Sequence, residues 1–270
     1  MKPPIRLALL FVFAVGLSSG CRNSEDTFDQ TPPPSPNLPG APLIPEMSVL
    51  RPYFQTTLGN VDVGSAIGTA FAVEQPGSDS PIVLTALSIL GPASGLTRQA
   101  RTAELSDVYK SCTFGSAFGG FDGVISATGF IGIPESAPFD VPSQAGDILA
   151  ITLPNKTRVR TFKLSNVPLV KGETIWMSAA IFVGAPPSQR QHAAIVTGED
   201  VNGNVIYEFG DRSITHQGTV GAPILNMKGE VVAIHLGGTK SNGKLTGFAN
   251  PASRFLKNLE TALSSIAEKR

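Results

Sequence analysis

The chain has 270 residues, 41% of them hydrophobic and 16% charged, with 28 glycines and 22 prolines, a composition that suits one globular domain of moderate size plus non-globular extras. Twenty-one lysines and arginines balance twenty-one aspartates and glutamates, so the chain lacks the cationic field that would hold nucleic acid or anionic lipid non-specifically. Nucleic acid is therefore not expected as a partner.

Lys2 and Arg6 precede the apolar run Leu7 to Val15, and Leu17-Ser18-Ser19-Gly20-Cys21 follows. That run is shorter than the roughly 20 residues a spanning helix needs, so residues 1–20 read as a cleaved export signal. Leu17 to Cys21 resembles the lipobox of bacterial lipoproteins. The resemblance implies that Cys21 is acylated, becomes the first mature residue and anchors the chain to a membrane. An ordinary secretory signal with a chance cysteine is the alternative. Residues 21–46 are polar and rich in proline, including Thr31-Pro32-Pro33-Pro34-Ser35-Pro36, and read as an extended tether. Cys112 is the only other cysteine; with Cys21 acylated no internal disulfide is expected, and Cys112 reads as a small buried hydrophobe.

From residue 47 to 270 short β-branched and aromatic runs alternate with turn residues. Gly68 to Val73, Ile82 to Thr85, Val124 to Phe130, Ile148 to Leu153 and Thr174 to Phe182 read as strands, followed by Ala193 to Thr197, Val205 to Phe209, Ala222 to Leu225 and Glu230 to Leu236. This spacing predicts an all-β sandwich or barrel. The one convincing helix comes last: Asn250 reads as its cap, Pro251 as its first turn, and Phe255, Leu259, Leu263 and Ile266 keep helical spacing.

Four segments, in order, resemble landmarks of the trypsin-like (chymotrypsin-fold) serine proteases, especially the bacterial branch containing the glutamyl endopeptidases. Gly68-Thr69-Ala70-Phe71 is similar to the strand before the catalytic histidine, and Val83-Leu84-Thr85-Ala86-Leu87-Ser88 to the family's Leu-Thr-Ala-Ala-His, with Ser88 where histidine belongs. Gly146-Asp147-Ile148-Leu149-Ala150-Ile151 resembles the strand opened by the orienting aspartate. Gly218-Thr219-Val220-Gly221-Ala222-Pro223 resembles the nucleophile loop Gly-Asn-Ser-Gly-Gly-Pro, with Val220 at the serine. The resemblance implies two six-stranded antiparallel β-barrels with a C-terminal helix.

Triad chemistry needs a hydroxyl nucleophile, an imidazole to take its proton and a carboxylate to orient that imidazole. On this alignment only Asp147 remains: Ser88 is not basic at neutral pH, and Val220 has no nucleophilic atom. Thr219 carries a hydroxyl one position early, where its side chain would point elsewhere. The family's oxyanion hole is built from main-chain N–H groups, which persist at Gly218 and Val220, so the loop could hold a carbonyl or carboxylate without cutting. Ala222, replacing a family glycine, puts the loop's shape in question.

Of the three histidines, none pairs with another at metal-ligand spacing, and no metal or cofactor is expected. His192 reads as a solvated loop-edge residue, and His216 as a groove or local hydrogen-bonding residue. His235, in Ile234-His235-Leu236-Gly237-Gly238, matches a histidine that helps hold an acidic side chain in glutamyl endopeptidases. With Thr215 it marks a possible pocket, against a purely structural role. The expectation is a lipid-anchored extracytoplasmic pseudoprotease of the bacterial cell envelope that binds a peptide or envelope protein. The alternatives are an active endopeptidase or other hydrolase with an unrecognised constellation, and a structural lipoprotein without a specific ligand.

Overall fold

The computed structural model describes residues 40–60, 68–75, 80–119, 123–157, 159–181, 184–185 and 189–267. The export signal, Cys21 and the tether up to residue 39 lie outside the described residues. From Ala41 the chain already packs on the domain: Ala41 and Ile44 contact its core, and Gln191 Nε2 donates to the Pro42 carbonyl at 2.6 Å.

The chain is all-β with a C-terminal helix. Its first half contains β1 (Val49–Thr56), β2 (Gly59–Asn60), β3 (Ala70–Val73), β4 (Ile82–Thr85), the one-turn helix α1 (Leu105–Val108), β5 (Tyr109–Ser116), β6 (Ile125–Ser126), β7 (Gly129–Ile131) and β8 (Leu149–Thr152). The second half contains β9 (Thr174–Ser178), β10 (Gln191–Glu199), β11 (Val205–Phe209), β12 (Pro223–Leu225), β13 (Val231–Ser241), β14 (Lys244–Pro251) and α2 (Ala252–Ala267). The later strands close into a six-stranded barrel in the order β10-β11-β14-β13-β12-β9. The earlier ones form a curled eight-stranded sheet, β6-β5-β1-β3-β4-β8-β7, with β2 paired to β1. One unit is thus a closed six-stranded barrel, and the other is a half-barrel that does not close among the described residues.

Three apolar clusters hold this arrangement. Leu50, Phe54, Cys112 and Phe114 fill the hollow of the first sheet, while Ile175, Val196, Tyr207 and Ile224 fill the barrel. Between the two, Phe71, Phe162, Trp176 and Ile234 meet the inner face of α2, whose Phe255, Leu259 and Leu263 are buried and whose Ile266 is partly so. The helical spacing predicted for that segment therefore faces the core.

Some local expectations change. Val124 to Phe130 is two strands, because the chain changes neighbour midway: Ala127 N–H donates to the Cys112 carbonyl at 2.8 Å and Thr128 N–H to the Thr152 carbonyl at 2.9 Å. β1 and β5, which pair over seven registers, escape the sequence pattern because Arg51, Tyr53 and Gln55 on one, and Lys110 and Thr113 on the other, alternate with the core residues. Asn250 is not a helix cap. It is fully buried in β14, and its Nδ2 donates to the Ala145 carbonyl at 2.9 Å and the Asp147 carbonyl at 3.3 Å.

Candidate functional site

Ser88 and Asp147, 59 residues apart in sequence, are in contact. Ser88 lies in the 3₁₀ turn Leu87–Leu90 that follows β4; Asp147 lies in the turn that leads into β8. Gly146 has φ +65° and presses on the Asn250 amide so closely that a Cβ would come within 2.4 Å of Oδ1, so only glycine fits this turn. Asp147 is 1% exposed. Its Oδ1 accepts the Ser88 N–H at 2.9 Å, its Oδ2 accepts the Phe139 N–H at 3.0 Å, and the Ser88 hydroxyl donates to it as well. Burial pushes the carboxyl up to about 6, and these donors pull the other way. Among the described residues no imidazole touches it.

The loop from His216 to Ala222 is tied down from both sides. Thr69, just ahead of β3, donates its N–H to the Val220 carbonyl and its hydroxyl to the Gly218 carbonyl, each at 2.8 Å. Gly221 has φ +87°, and a Cβ there would lie 2.1 Å from Thr85 Oγ1 and 2.2 Å from the Thr69 carbonyl. Its N–H donates to the His235 carbonyl at 2.7 Å, and His235 N–H returns to the Ala222 carbonyl at 2.8 Å. The methyl of Ala222 raises no obstacle, since it is buried in the barrel core and its N–H closes a turn onto Thr219 at 2.9 Å. Thr219 is fully buried and its hydroxyl is engaged locally, donating to the His216 carbonyl at 2.7 Å. Thr219, Gly221 and Ala222 all use their N–H groups; among the described residues those of Gly218 and Val220 have no partner.

The histidines rearrange the expectation most. His216 and His235, 19 residues apart, stack with ring centroids 5.3 Å apart, and His216 Nδ1 lies 3.3 Å from His235 Nε2. Tyr207 Oη bonds the far side of His235 at Nδ1, making a chain Tyr207–His235–His216 through the barrel. Burial lowers both imidazole pKa values, with His216 adding repulsion at His235, so the pair is neutral at neutral pH. The chain ends without a hydrogen bond at His216 Nε2, against Gly238 and the Thr246 carbonyl, and Thr215 Oγ1 is likewise buried without a partner. His235 is thus engaged by Tyr207 and His216, and neither it nor Thr215 lines the cleft that holds Ser88 and Val220. No spacing rule reveals this pairing, because one member sits on a loop and the other on a strand.

His192 is not a solvated edge residue. It is 1% exposed on β10, with Nε2 3.0 Å from the Ala179 carbonyl and Nδ1 3.3 Å from Gln189 Nε2, and burial lowers it to about 4. Periodicity hides it: the barrel face of β10 carries His192, Ala194 and Val196, and only two of the three are apolar.

Ser88 and Val220 line one open cleft of about 280 Å³, together with Phe139 and Leu236. Asp147 lies beneath its floor, behind Ser88. The three positions singled out by sequence therefore converge at the junction of the two sheets.

A curled sheet and a closed barrel meeting at such a cleft, with a C-terminal helix, constitute a chymotrypsin-like fold, that of the trypsin-like serine proteases. Solved structures agree. A Glu endopeptidase in complex with MPD is 17% identical, covering 82% of this chain and 92% of its own, with a TM-score of 0.51. The thermostable serine protease AL20 from an extremophilic microorganism is 15% identical over 80% of this chain and 96% of its own, with a TM-score of 0.53. A variant of the HtrA-type protease AlgW with a decapeptide is 12% identical over 82% of this chain and 64% of its own, with a TM-score of 0.52. No family model and no curated protein matches the sequence.

Proposed function

We propose that this protein is a non-catalytic peptide- or protein-binding module of trypsin-like fold, held on a bacterial envelope membrane through an acylated Cys21. The observation that carries the reading is the occupancy of Asp147: a serine hydroxyl and main-chain N–H groups take the places around its carboxylate, and a valine lines the same cleft as Ser88. Catalysis by the family's route needs an imidazole there and a nucleophilic oxygen opposite. What the site offers instead is a pair of unpartnered N–H groups at Gly218 and Val220 beside an open cleft, suited to accept a carbonyl or carboxylate.

The test uses the full-length protein in detergent, incubated with a mixed peptide library and a serine-directed fluorophosphonate. No labelling and no cleavage is expected; specific cleavage abolished by one substitution would sink the reading. Ser88→His with Val220→Ser should restore measurable hydrolysis if the alignment of these two positions is right. For the anchor, metabolic labelling with an alkyne fatty acid should mark the protein in its host membrane fraction, and Cys21→Ala should abolish both label and membrane association. A labelled Cys21→Ala protein would remove the anchor from the proposal.

A further inference from the structure

We infer that a second groove, between α2 and residues 163–166, docks a basic amphipathic segment of a partner protein, with leucine-like side chains on its floor and lysines or arginines at its rim. The groove has a volume of about 600 Å³ and shares no residue with the cleft of Ser88 and Val220, so its occupant is independent of the cleft's.

The fold fixes both walls. Val231 N–H donates to the Lys163 carbonyl at 2.8 Å and Ser165 N–H to the Val231 carbonyl at 2.9 Å, which straps residues 163–165 alongside β13. Opposite, Leu256, Leu259 and Leu263 stand on α2 at helical spacing, over a length of about 10 Å. Leu259 and Leu263 are buried in the central apolar cluster, whereas Leu164 and Leu256 pack on it only partly and leave aliphatic surface to the groove. The floor is therefore a preformed hydrocarbon strip about two helical turns long.

The rim carries the opposite chemistry. Glu74, Glu230 and Glu260 line the groove with a single cation, Lys163. Glu230 Oε2 accepts the Asn226 amide at 2.9 Å; among the described residues the carboxylates of Glu74 and Glu260 have no hydrogen-bond or ion-pair partner, and Lys163 bridges to none of the three. Such a rim repels an acidic guest and an anionic bilayer alike, and a purely apolar guest would strip water from the carboxylates without replacing it. A leucine beside a lysine or arginine meets both demands: the leucine covers the strip, and the cation reaches the rim on its own apolar stem. The chain's own tether has the wrong charge, since residues 22–39 hold Glu25, Asp26 and Asp29 against Arg22 alone. An amphipathic helix laid along α2 presents such a pattern at the spacing the floor offers.

The experiment measures fluorescence anisotropy of the full-length protein in phosphatidylcholine nanodiscs, against empty nanodiscs, with three fluorescein-labelled tetradecapeptides. All share one helical pattern, filled with leucine and lysine, leucine and glutamate, or alanine and lysine. The leucine–lysine peptide should bind at least ~10-fold more tightly than either of the others, and added salt should weaken it. Glu74→Lys with Glu260→Lys, at two exposed positions, should turn the preference toward the leucine–glutamate peptide and leave circular dichroism unchanged. Leu256→Gln should weaken both leucine peptides. Equal binding of the leucine–lysine and alanine–lysine peptides, a preference unmoved by the double substitution, or no binding at all overturns the inference. Each of those results leaves the reading of the Ser88 and Val220 cleft standing, because the groove takes no residue from it.

Discussion

Two buried polar chains cross this molecule, and they end differently. Around Asp147 the chain closes on itself: a carboxylate is enclosed by main-chain N–H groups and a hydroxyl, all from residues within the fold. Through the barrel, Tyr207, His235 and His216 form a line whose one end is bonded and whose other end, His216 Nε2, is buried against the Thr246 carbonyl without full hydrogen-bond geometry. A fully satisfied polar network rigidifies its surroundings, whereas one that ends on an imperfect contact carries a partly unsatisfied buried group. The same fold therefore holds a carboxylate enclosed by well-formed hydrogen bonds beside a neutral imidazole chain that ends on an imperfect one.

The contrast between the two chains breaks most severely at Tyr207, whose ring is fully buried and packs so closely on Gly247 that a Cβ there would come within 2.4 Å of it. Tyr207→Ala should cost about 3–5 kcal/mol in urea unfolding, as for other large aromatic deletions. Next in size are the opposed pH dependences of the acidic and basic groups. Asp147 titrates at about 6 in the fold against an ordinary 3.8, so the folded state binds more protons than the unfolded one between those values, and its contribution to stability falls as pH rises through them. His192 at about 4 against 6.5 does the reverse: the unfolded state binds more protons, and stability rises with pH through that window. Each is worth roughly 3 kcal/mol. The lowered His216 and His235 act in the same direction as His192. Chemical denaturation between pH 4 and 7 should show stability rising with pH, more steeply in Asp147→Asn and less steeply in His192→Gln.

A finer cut separates packing from hydrogen bonding in the barrel chain. Tyr207→Phe keeps the ring but leaves His235 Nδ1 bare, and should cost about 1–3 kcal/mol, seen as a lowered urea midpoint with an unchanged slope. The smallest effect is Ser88→Ala, which removes one donor from a carboxylate that keeps its N–H bonds. About 1 kcal/mol of destabilisation is expected, with the carboxyl of Asp147 moved further upward when followed by carbon-13 NMR. An unmoved carboxyl would show that the hydroxyl is not on it.

Much of this was legible in one dimension, and the reason is that the determinants are local. Strand runs such as Ile82 to Thr85 and Val205 to Phe209 coincide with β4 and β11, and the spacing of Phe255, Leu259 and Leu263 placed a helix face on the core. Turn glycines behaved likewise, because Gly146, Gly218 and Gly221 adopt positive φ that the local chain demands. The short motifs around Ser88, Asp147 and Val220 marked three positions that the fold brings to one junction.

What tertiary structure alone decided is whatever depends on partners distant in sequence. Asn250 reads as a helix cap until Ala145 and Asp147 are folded against it. His192 reads as a surface residue until β9 and β10 bury it, and His216 and His235 read as unrelated until a loop folds onto a strand. By itself the sequence determined strands such as β4, β8 and β11, the final helix and the residue types at each motif, since these follow from side-chain size, branching and spacing along the chain. The closure of the second sheet into a barrel, the enclosure of Asp147 and the buried end of the histidine chain were decided by packing, because burial and hydrogen-bond satisfaction exist only once remote segments share a neighbourhood.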